Sequence, residues 1–333
     1  MQQKPLLVHF HFHHRRTGVT RSIENVLPGL QHFFRVFIFG YGITGPAIQL
    51  RKVIRLILAK EYFIIHVHRN NEMLLALMFR WMGGNFKLVA TRHAESKPSG
   101  FTLWLLQKAD EVIALTASMS AHLPLPSTVI GHGVDTNWFL PSHFVGMKSV
   151  PQKNIISVIG RVRKAKGQHI FLEAVAPVLK NNSAWAAVIV GKTDDQGYLK
   201  KLQTLVDDNQ ISNQVYFLDE TADILPVYQA SKVVVVPSFS EGFSLVCLEA
   251  MACGCVVVAT QRVGVHSDLI RHQQTGYLFQ RGDVSELKLI LENLTNEDRS
   301  AMVEKARLTI VSEWDVLKEA SKLSEVYLTG VVQ

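Results

Sequence analysis

Short apolar runs alternate with helical patterns along the first 140 residues of the chain. Apolar residues recur at helical spacing over residues 22–33 and 71–81, between runs that are predicted as strands. The predicted strands of this half are 6–12, 36–39, 63–67, 87–90, 111–115 and 128–130. Buried strands that alternate with helices are typical of a parallel sheet covered on both faces. This half is therefore predicted to be a doubly wound α/β domain.

A second series of the same kind follows after a break in the pattern. Pro141, Gly146 and Pro151 mark this break as a linker over residues 141–153. The strands predicted beyond it are 155–159, 187–190, 215–218, 233–236 and 256–259, and helices begin near Gln168 and Tyr198. The sequence thus predicts two Rossmann-like, doubly wound domains, residues 1–140 and 154–312, that face each other across a cleft.

The composition is that of a globular protein whose 333 residues are enough for two cores. No apolar run reaches about 18 residues, the length that spans a bilayer, and residues 5–8 are predicted to begin a strand, not a signal peptide. Three cysteines without an export signal, Cys247, Cys253 and Cys255, favour reduced thiols in a cytoplasmic enzyme. The net charge of +7 favours an anionic partner, and nucleic acid, acidic lipid and phosphorylated substrates all qualify.

Two glutamates, Glu241 and Glu249, stand eight positions apart after the predicted strand 233–236. Apolar residues at helical spacing, ended by Gly254, predict a helix that begins after Glu241 and contains Glu249. The N–H groups at the start of this helix are those of Phe243, Ser244 and Leu245. Such groups lack helical acceptors and favour a diphosphate, while Glu249 lies at a depth suited to ribose hydroxyls. The alternative interpretation is that Glu241 and Glu249 are both solvated and bind no ligand.

A second candidate anion site is the loop 160–167, which lies between a predicted strand and a helix. Gly160 allows a tight turn, and Arg161 and Lys166 can converge on one cluster of phosphate oxygens. The glycine and lysine spacing is not that of a Walker loop. A basic surface loop is the alternative for this segment taken alone.

The pattern after Glu249 continues with a strand at 254–260, Gly264, Asp268 and the run 275–278. The whole segment 237–283 closely resembles the donor-binding segment of family 4 retaining glycosyltransferases, which have the GT-B fold. The resemblance implies a nucleotide-sugar donor and no cofactor. It also implies that residues 1–140 bind the acceptor, that residues 154–312 bind the donor, and that residues 313–333 form a crossover helix back to the first domain.

The resemblance also implies roles for individual residues. Arg161 and Lys166 match an arginine and a lysine that hold the donor diphosphate, and Glu249 matches the residue that holds the ribose. Glu241 is expected to position sugar hydroxyls, in a reaction on one face of the sugar in which the donor's own phosphate takes the acceptor proton. His93 matches a position beside the transferred sugar, so His93 and Glu241 are the catalytic candidates.

The chain departs from the family at two places near the expected donor. Residues 263–268 read Val-Gly-Val-His-Ser-Asp where the family usually has Gly-Gly and a glutamate. Leu218-Asp219 stands where Leu-Gly is common. These departures concern the choice of base and sugar, not the fold.

The first predicted strand is followed by Arg-Arg-Thr-Gly-Val-Thr at residues 15–20. Gly18 is expected to let the backbone approach the donor closely. The Thr-Gly-Val-Thr form resembles the branch that adds mannose to the inner core of lipopolysaccharide, which implies GDP-mannose as the donor. Arg15, Arg16 and Arg92 follow predicted parallel strands, where open sheets bind ligands, and are predicted to bind an anionic glycan or lipid-linked acceptor. Ordinary surface charge is the alternative.

Histidines alternate with apolar residues in two of the predicted strands. His9, His11 and His13 share one face of the first strand, and His66 and His68 share a face of another. A metal cluster and packed, hydrogen-bonded histidines both fit this pattern. We expect His9 and His11 to be packed and hydrogen-bonded to neighbouring backbone, without a bound metal.

Residues 51–60 are predicted to form a basic amphipathic helix. Such a helix either rests on an anionic bilayer or only covers its sheet. The first case implies peripheral contact with the inner face of the cytoplasmic membrane.

Other functions fit parts of the pattern. A glycoside hydrolase also needs two carboxylates, but they must flank the scissile bond, which Glu249 inside an apolar helix suits poorly. A basic nucleic-acid or membrane-binding module without catalysis would explain the charge, yet no nucleic-acid motif or aromatic platform accompanies it. An NAD-linked enzyme is disfavoured because no Gly-x-Gly-x-x-Gly follows a predicted strand. A transferase of the same fold that uses a UDP-sugar in other cell-envelope glycan synthesis stays open.

Overall fold

The computed structural model describes residues 4–142 and 146–330. The chain divides into two compact units: the first is Met1–Asp135 together with Trp314–Gln333, and the second is Thr136–Glu313. The sequence placed the corresponding boundaries at 140 and 312, and part of the predicted linker, 143–145, lies outside the described residues. Within the described ranges, no helix is both long enough and apolar enough to cross a membrane.

The first unit is built on one parallel sheet. Its strands are β1 (Leu6–Phe12), β2 (Arg35–Tyr41), β3 (Phe63–Val67), β4 (Phe86–Arg92), β5 (Glu111–Ala114) and β6 (Thr128–Val129). Its helices are α1 (Gly18–Leu30), α2 (Leu50–Leu58), α3 (Asn70–Trp81), α4 (Gly100–Leu106), α5 (Ala117–Ala121) and, at the end of the chain, α13 (Val316–Leu328). The strand order is β2-β1-β3-β4-β5-β6, and neighbouring strands are parallel.

One face of this sheet is apolar first and becomes polar towards the carboxyl ends of its strands. Leu7 of β1 and Ile64 of β3 are fully buried in the cluster that includes residues of α1 and α13. Two residues further along the same face, β1 and β3 carry His9 and His66, which are also buried. Apolar side chains therefore hold the two helices, and a polar layer follows at the carboxyl ends of the strands, where open parallel sheets bind ligands.

Helix α13 brings the end of the chain back onto the first unit, where it packs against α1. A Cβ at Gly29 of α1 would lie 2.8 Å from the Cβ of Ala320, so a glycine is required at this approach. Lys87 of β4 donates from Nζ to the carbonyl oxygens of Val326 and Thr329, each at 2.6 Å. Because the last carbonyls of a helix lack helical donors, a cation there stabilises the helix end.

The second unit also contains a parallel sheet. Its strands are β7 (Asn154–Ile159), β8 (Trp185–Val190), β9 (Val215–Leu218), β10 (Val233–Val236), β11 (Val256–Thr260) and β12 (Tyr277–Phe279), in the order β12-β11-β10-β7-β8-β9. Its helices are α6 (Gln168–Asn181), α7 (Gln196–Asp208), α8 (Leu225–Ala230), α9 (Leu245–Ala252), α10 (His266–Leu269), α11 (Val284–Asn296) and α12 (Ser300–Glu313), with a 3₁₀ turn at Lys164–Lys166. The four valines of β10 are all buried, as expected for a central strand covered on both faces.

Both predicted parallel sheets are confirmed, but β12, a short strand at the edge of the second sheet, was not among the predicted strands. Several helix ends also differ from the prediction. Helix α1 begins at Gly18, four residues before the predicted start, because Thr17 and Thr20 form a reciprocal capping box. The predicted crossover helix over 313–333 does not extend through that whole segment. Helix α12 ends at Glu313, and α13 starts anew after Asp315, whose side chain caps it.

Candidate active site

The loop between β10 and α9 carries Glu241, as the sequence predicts. Helix α9 begins at Leu245, with Ser244 as its N-cap residue. Ser244 has φ 91°, a left-handed conformation that is costly for a residue with a side chain and that clusters at functional loops. Its side chain makes no capping hydrogen bond, so it leaves the first N–H groups of α9 to another acceptor. This helix start is suited to an anion.

One oxygen of the Glu241 carboxylate accepts two short hydrogen bonds. Oε1 accepts from Lys166 Nζ at 2.5 Å and from Ser238 Oγ at 2.6 Å. Burial raises the pKa of Glu241, but the charge of Lys166 and these hydrogen bonds outweigh burial and hold the pKa below its usual value. Glu241 is therefore an anion at neutral pH and can accept hydrogen bonds from sugar hydroxyls.

The basic loop 160–167 lies against the same segment. Phe239 N donates to Ala165 O at 2.9 Å. Gly167 has φ 70°, and a Cβ there would lie 2.0 Å from the carbonyl oxygen of Pro237, so a larger residue would collide with the backbone. The two anion sites predicted from the sequence thus belong to one surface of the second unit.

Arg161 lies in this basic loop but has a different partner. Its Nη1 bonds Asp194 Oδ2 at 3.2 Å, and the two side chains are 42% and 32% exposed. An exposed ion pair is weak, so a phosphate can replace Asp194 at little cost. Arginine also offers phosphate two parallel donors. The role of Arg161 at the donor stays a prediction.

The segment after β11 supports the Glu241 loop. A Cβ at Gly264 would lie 2.8 Å from the carbonyl oxygen of Phe243 and 2.9 Å from Glu241 Cβ. Of the two glycines usual in this motif, the chain thus keeps one whose position is sterically required. His266 is fully buried beside it, with Nδ1 2.7 Å from the Thr260 carbonyl oxygen and with Nε2 unpartnered among the described residues. Because burial lowers the pKa of His266, the ring is neutral and Nε2 is an unused acceptor.

Glu249 is fully buried inside α9. Its Oε2 accepts a hydrogen bond from Tyr228 Oη at 2.6 Å, and Tyr228 is buried as well. A protein hydroxyl therefore already occupies one oxygen of this carboxylate. The predicted contact of Glu249 with ribose stays a prediction.

Gly18 in the first unit is the first residue of α1. A Cβ there would meet nothing within 4 Å, so packing within the described chain does not require a glycine. Arg15 is exposed, and Arg16 is 64% exposed with Nη2 bonded to Glu24 Oε2 at 2.6 Å. These residues lie at the surface near the start of α1, and their contact with donor or acceptor stays a prediction.

Arg92 and His93 line a surface pocket of about 480 Å³ in the first unit. Other polar residues that line it are His68, Arg69, Asn70, Asn71, Thr91 and Thr102. Arg69 is held in place because it donates to Thr17 Oγ1 and Glu72 Oε1, each at 3.2 Å, while Arg92 donates to the carbonyl oxygen of Ser96. Two guanidinium groups and two amides suit an anionic ligand that is rich in hydroxyls.

His93, His68 and His9 form a chain of three rings whose nitrogens face one another. His68 Nδ1 lies 3.1 Å from His93 Nε2, and His68 Nε2 lies 3.3 Å from His9 Nδ1. Burial lowers the pKa of His9 to about 3 and lowers the pKa values of His68 and His93 well below the usual range. Each neutral ring has one donor and one acceptor, so the tautomer of His93 is tied to that of His68.

Of the two histidines that were expected to be packed against backbone, one is confirmed and one is not. His11 packs as predicted, with Nδ1 2.7 Å from the Tyr41 carbonyl oxygen and Nε2 3.0 Å from Thr20 Oγ1. His9 was expected to bond neighbouring backbone, but its Nδ1 lies against His68 and its Nε2 has no partner within the described part of the chain. The reason is register: β1 and β3 pair His9 directly with His66, which brings the histidine side chains together.

Residues 144–309 match the family described as Glycosyl transferases group 1. The chain carries a group 1 glycosyltransferase domain. This glycosyltransferase is 29% identical to the lipopolysaccharide core biosynthesis mannosyltransferase LpcC of Rhizobium leguminosarum bv. viciae, over 95% of the chain and 94% of the relative. It is 29% identical to the lipopolysaccharide core biosynthesis mannosyltransferase LpsB of Rhizobium meliloti (strain 1021), over 83% of each protein.

The fold of this glycosyltransferase is likewise shared with solved structures. Anabaena HepE in complex with UDP and glucose is 20% identical, with a TM-score of 0.81 over 98% of this chain and 100% of HepE. Together with the two parallel six-stranded sheets, this confirms the predicted GT-B fold.

Several partners of the site residues in this glycosyltransferase were not predicted. They are Ser238, Tyr228 and Asp194, which bond Glu241, Glu249 and Arg161. Ser238 carries a local signal, because it lies two residues after the end of a buried strand and three residues before Glu241. Tyr228 and Asp194 are 21 and 33 residues from their partners, so only the folded chain reveals them.

Proposed function

We propose that the chain is a retaining, family 4 glycosyltransferase that moves mannose from GDP-mannose to an anionic glycan or lipid-linked acceptor in lipopolysaccharide core synthesis. Two mannosyltransferases of that process align with most of the chain. The observation that carries the proposal is the surface of the second unit. There the partly buried Lys166–Glu241 pair, the basic loop 160–167 and the start of α9 belong to neighbouring segments.

This surface suits the departure of a nucleoside diphosphate. Negative charge grows on the diphosphate as the bond to the sugar breaks, and donors fixed before the reaction stabilise that charge most. The first N–H groups of α9, Lys166 and Arg161 are such donors. Transfer without a covalent enzyme intermediate then leaves the acceptor proton to the departing phosphate.

Glu241 is suited to hold the sugar and not to donate a proton. A general acid needs a raised pKa at neutral pH, whereas the pKa of Glu241 is lowered by Lys166 and by hydrogen bonds that outweigh burial. This difference argues against a glycoside hydrolase, whose acid carboxyl must be protonated.

The pocket of the first unit is suited to the acceptor. Arg69 and Arg92 would bind carboxylate or phosphate groups, and the amides of Asn70 and Asn71 would bind sugar hydroxyls. The neutral ring of His93 would exchange a hydrogen bond with a sugar hydroxyl.

We place the enzyme in the cytoplasm, with α2 in contact with an anionic membrane face. Arg51, Lys52 and Arg55 of α2 are exposed, and its end residues Leu50 and Leu58 are 49% and 72% exposed. Flotation with phosphatidylglycerol vesicles checks this contact. Loss of vesicle binding in the double variant Arg51→Glu, Arg55→Glu would support the membrane contact. Equal binding by the wild type and the variant would exclude α2 as the contact.

The donor is tested by calorimetric titration of the full chain with GDP-mannose, UDP-glucose and an ADP-sugar. We expect saturable binding of GDP-mannose and binding of UDP-glucose that is at least tenfold weaker. A UDP-sugar is the second candidate, because HepE is similar in fold and was solved with UDP. Preference for UDP-glucose would establish that candidate, and no binding of any nucleotide-sugar would refute both.

The stereochemistry is tested on the transferred sugar. The product formed from GDP-mannose and a lipopolysaccharide core acceptor should keep the α-anomeric configuration of the donor in its NMR coupling constants. A β-linked product would contradict the retaining assignment.

A further inference from the structure

Three histidines of the first unit, two of them buried and one partly buried, converge in a way that the proposed transfer reaction does not use. One ring nitrogen from each of His9, His66 and His68 lies within 4.8 Å of the others. His9 and His66 are paired across β1 and β3, and His68 follows two residues later on the same face. The backbone register therefore fixes all three side chains on one side of the sheet.

The spacing of two of these rings matches that of metal ligands. The distance from His9 Nδ1 to His68 Nε2 is 3.3 Å, which is long for a hydrogen bond. Two imidazole nitrogens bound tetrahedrally at about 2.0–2.1 Å from one zinc ion lie about 3.3 Å apart. The pair is thus already separated as two ligands of one ion would be.

A small cavity lies among the same residues. Its volume is about 20 Å³, and His9, His66, His68, His132 and Glu319 are among its lining residues. This volume holds one water molecule or one bare cation.

Charge and orientation also fit a cation. Glu319 supplies a buried carboxylate, whose oxygens bond His132 Nδ1 at 2.9 Å and Gly133 N at 2.7 Å. A ligating histidine is usually oriented through its other ring nitrogen. His68 has such a contact with His93 at 3.1 Å.

His66 has contacts at both ring nitrogens. Tyr327 Oη lies 2.7 Å from Nδ1, and Thr91 Oγ1 lies 2.7 Å from Nε2. A neutral ring accepts from one hydroxyl and donates to the other. Binding through the accepting nitrogen needs that hydroxyl to turn away, while the second hydroxyl keeps the ring oriented.

The small cavity and the surface pocket of the same unit are adjacent. His68 and Thr91 line both of them. An ion in the 480 Å³ surface pocket therefore already contacts one of the three histidines.

We propose that His9, His66 and His68 bind one divalent transition-metal ion of the class that prefers imidazole, such as Zn²⁺ or Co²⁺. This class selects nitrogen ligands over Mg²⁺ or Ca²⁺, which require oxygen. The ion would stabilise the polar layer of the first unit and fix the tautomer of His68, and through it that of His93. Its presence does not depend on the proposed transfer reaction.

The test is titration of the chelator-treated full chain with Co²⁺, followed by visible absorption. We expect one equivalent to bind with the strong bands of four-coordinate Co²⁺, and Zn²⁺ to displace it. His9→Gln and His68→Gln should each weaken binding at least tenfold. His11→Gln is the matched control, since it removes a buried histidine of the same strand that lies outside the cluster.

Unchanged Co²⁺ binding in His9→Gln and His68→Gln, or no binding by the wild type, would overturn the proposal. Should a variant fail to fold, wild-type crystals soaked in Zn²⁺ decide the matter by anomalous scattering. A peak among the three rings supports the site. A water molecule in the cavity without an anomalous peak excludes it.

Discussion

Nζ of Lys166 lies 2.5 Å from Oε1 of Glu241. The sequence assigned the lysine to the diphosphate and the glutamate to the sugar, and the structure shows that each neutralises the other, 75 residues apart in the chain. Both side chains are largely buried, at 18% and 11% exposed. Breaking such a pair from one side leaves an uncompensated charge, so the two residues should respond to mutation as a unit.

Lys166→Met should therefore lower both activity and stability. We expect transfer from the nucleotide-sugar to fall at least tenfold and the free energy of unfolding to drop by about 3 kcal/mol, since Glu241 loses its buried partner. Arg161→Met is the matched control for stability: its pair with Asp194 is exposed, so the cost should be below about 1 kcal/mol. Urea unfolding and steady-state kinetics measure the two effects, and equal stability losses would contradict the argument.

The same variant should reverse the contribution of Glu241 to the effect of acid on stability. In the wild type the pKa of folded Glu241 lies below the usual 4.5, so its stabilisation is complete above that pH and is lost as pH falls through the folded value. Without Lys166, burial dominates and raises the pKa, so protonation of Glu241 relieves the folded state instead of destabilising it. The buried neutral histidines lower the stability of both proteins in acid, so Lys166→Met should lose less stability than the wild type between pH 7 and pH 4. Urea unfolding at the two pH values measures both losses, and equal losses would refute this account.

Glu249→Gln and Tyr228→Phe separate the two partners of one buried hydrogen bond. Glu249→Gln should raise the KM for the nucleotide-sugar at least tenfold, because the proposed ribose contact loses its carboxylate. Tyr228→Phe keeps the carboxylate and should cost about 1–2 kcal/mol of stability with a smaller change in KM. Equal KM values in the wild type and Glu249→Gln would remove Glu249 from the donor site.

Gly18→Ala should separate ligand binding from folding. A methyl group at this helix position meets no described atom, and alanine is the better helix former by roughly 0.5–1 kcal/mol. We expect unfolding to show equal or higher stability, together with reduced transfer if a ligand approaches the backbone there. A fully active variant would show that no ligand comes close to Gly18.

The three cysteines should be unreactive in the native protein. All are buried, and burial raises the pKa of Cys247 and of Cys253 to about 12, so thiolate is scarce at neutral pH. Dithionitrobenzoate should label three thiols in urea and almost none in the native state. Rapid native labelling would show that the end of α9 opens.

The sequence predicted the elements whose pattern is local. Strands β3, β9 and β10 were placed at their observed bounds because apolar or β-branched runs are ended by polar or turn residues. The start of α1 was missed because its cap is a Thr17–Thr20 pair and not the usual threonine and glutamate. The interruption of the C-terminal helix at Asp315 has a signal, a capping aspartate, that its apolar neighbours obscured.

The contacts within the site could not be predicted in the same way. His66 and Tyr327 are 261 residues apart, and their contact follows from the return of α13 to the first unit. The histidine cluster likewise depends on β1 pairing with β3 and not only with its sequence neighbour β2. The alternation of residues along each strand predicted which histidines share a face. Only the pairing of β1 with β3 shows that histidines from the two strands lie close together.

The return of α13 has a consequence for dissecting the enzyme. Residues 136–313 form one uninterrupted insert, whereas the other half is assembled from both termini. A gene truncated after residue 140 would encode the first unit without α13. The apolar side chains that pack around Tyr327 would then be exposed and would promote aggregation. Joining residue 135 to residue 314 by a short linker is the rational way to produce that half, and the insert is the natural cassette to swap between homologues.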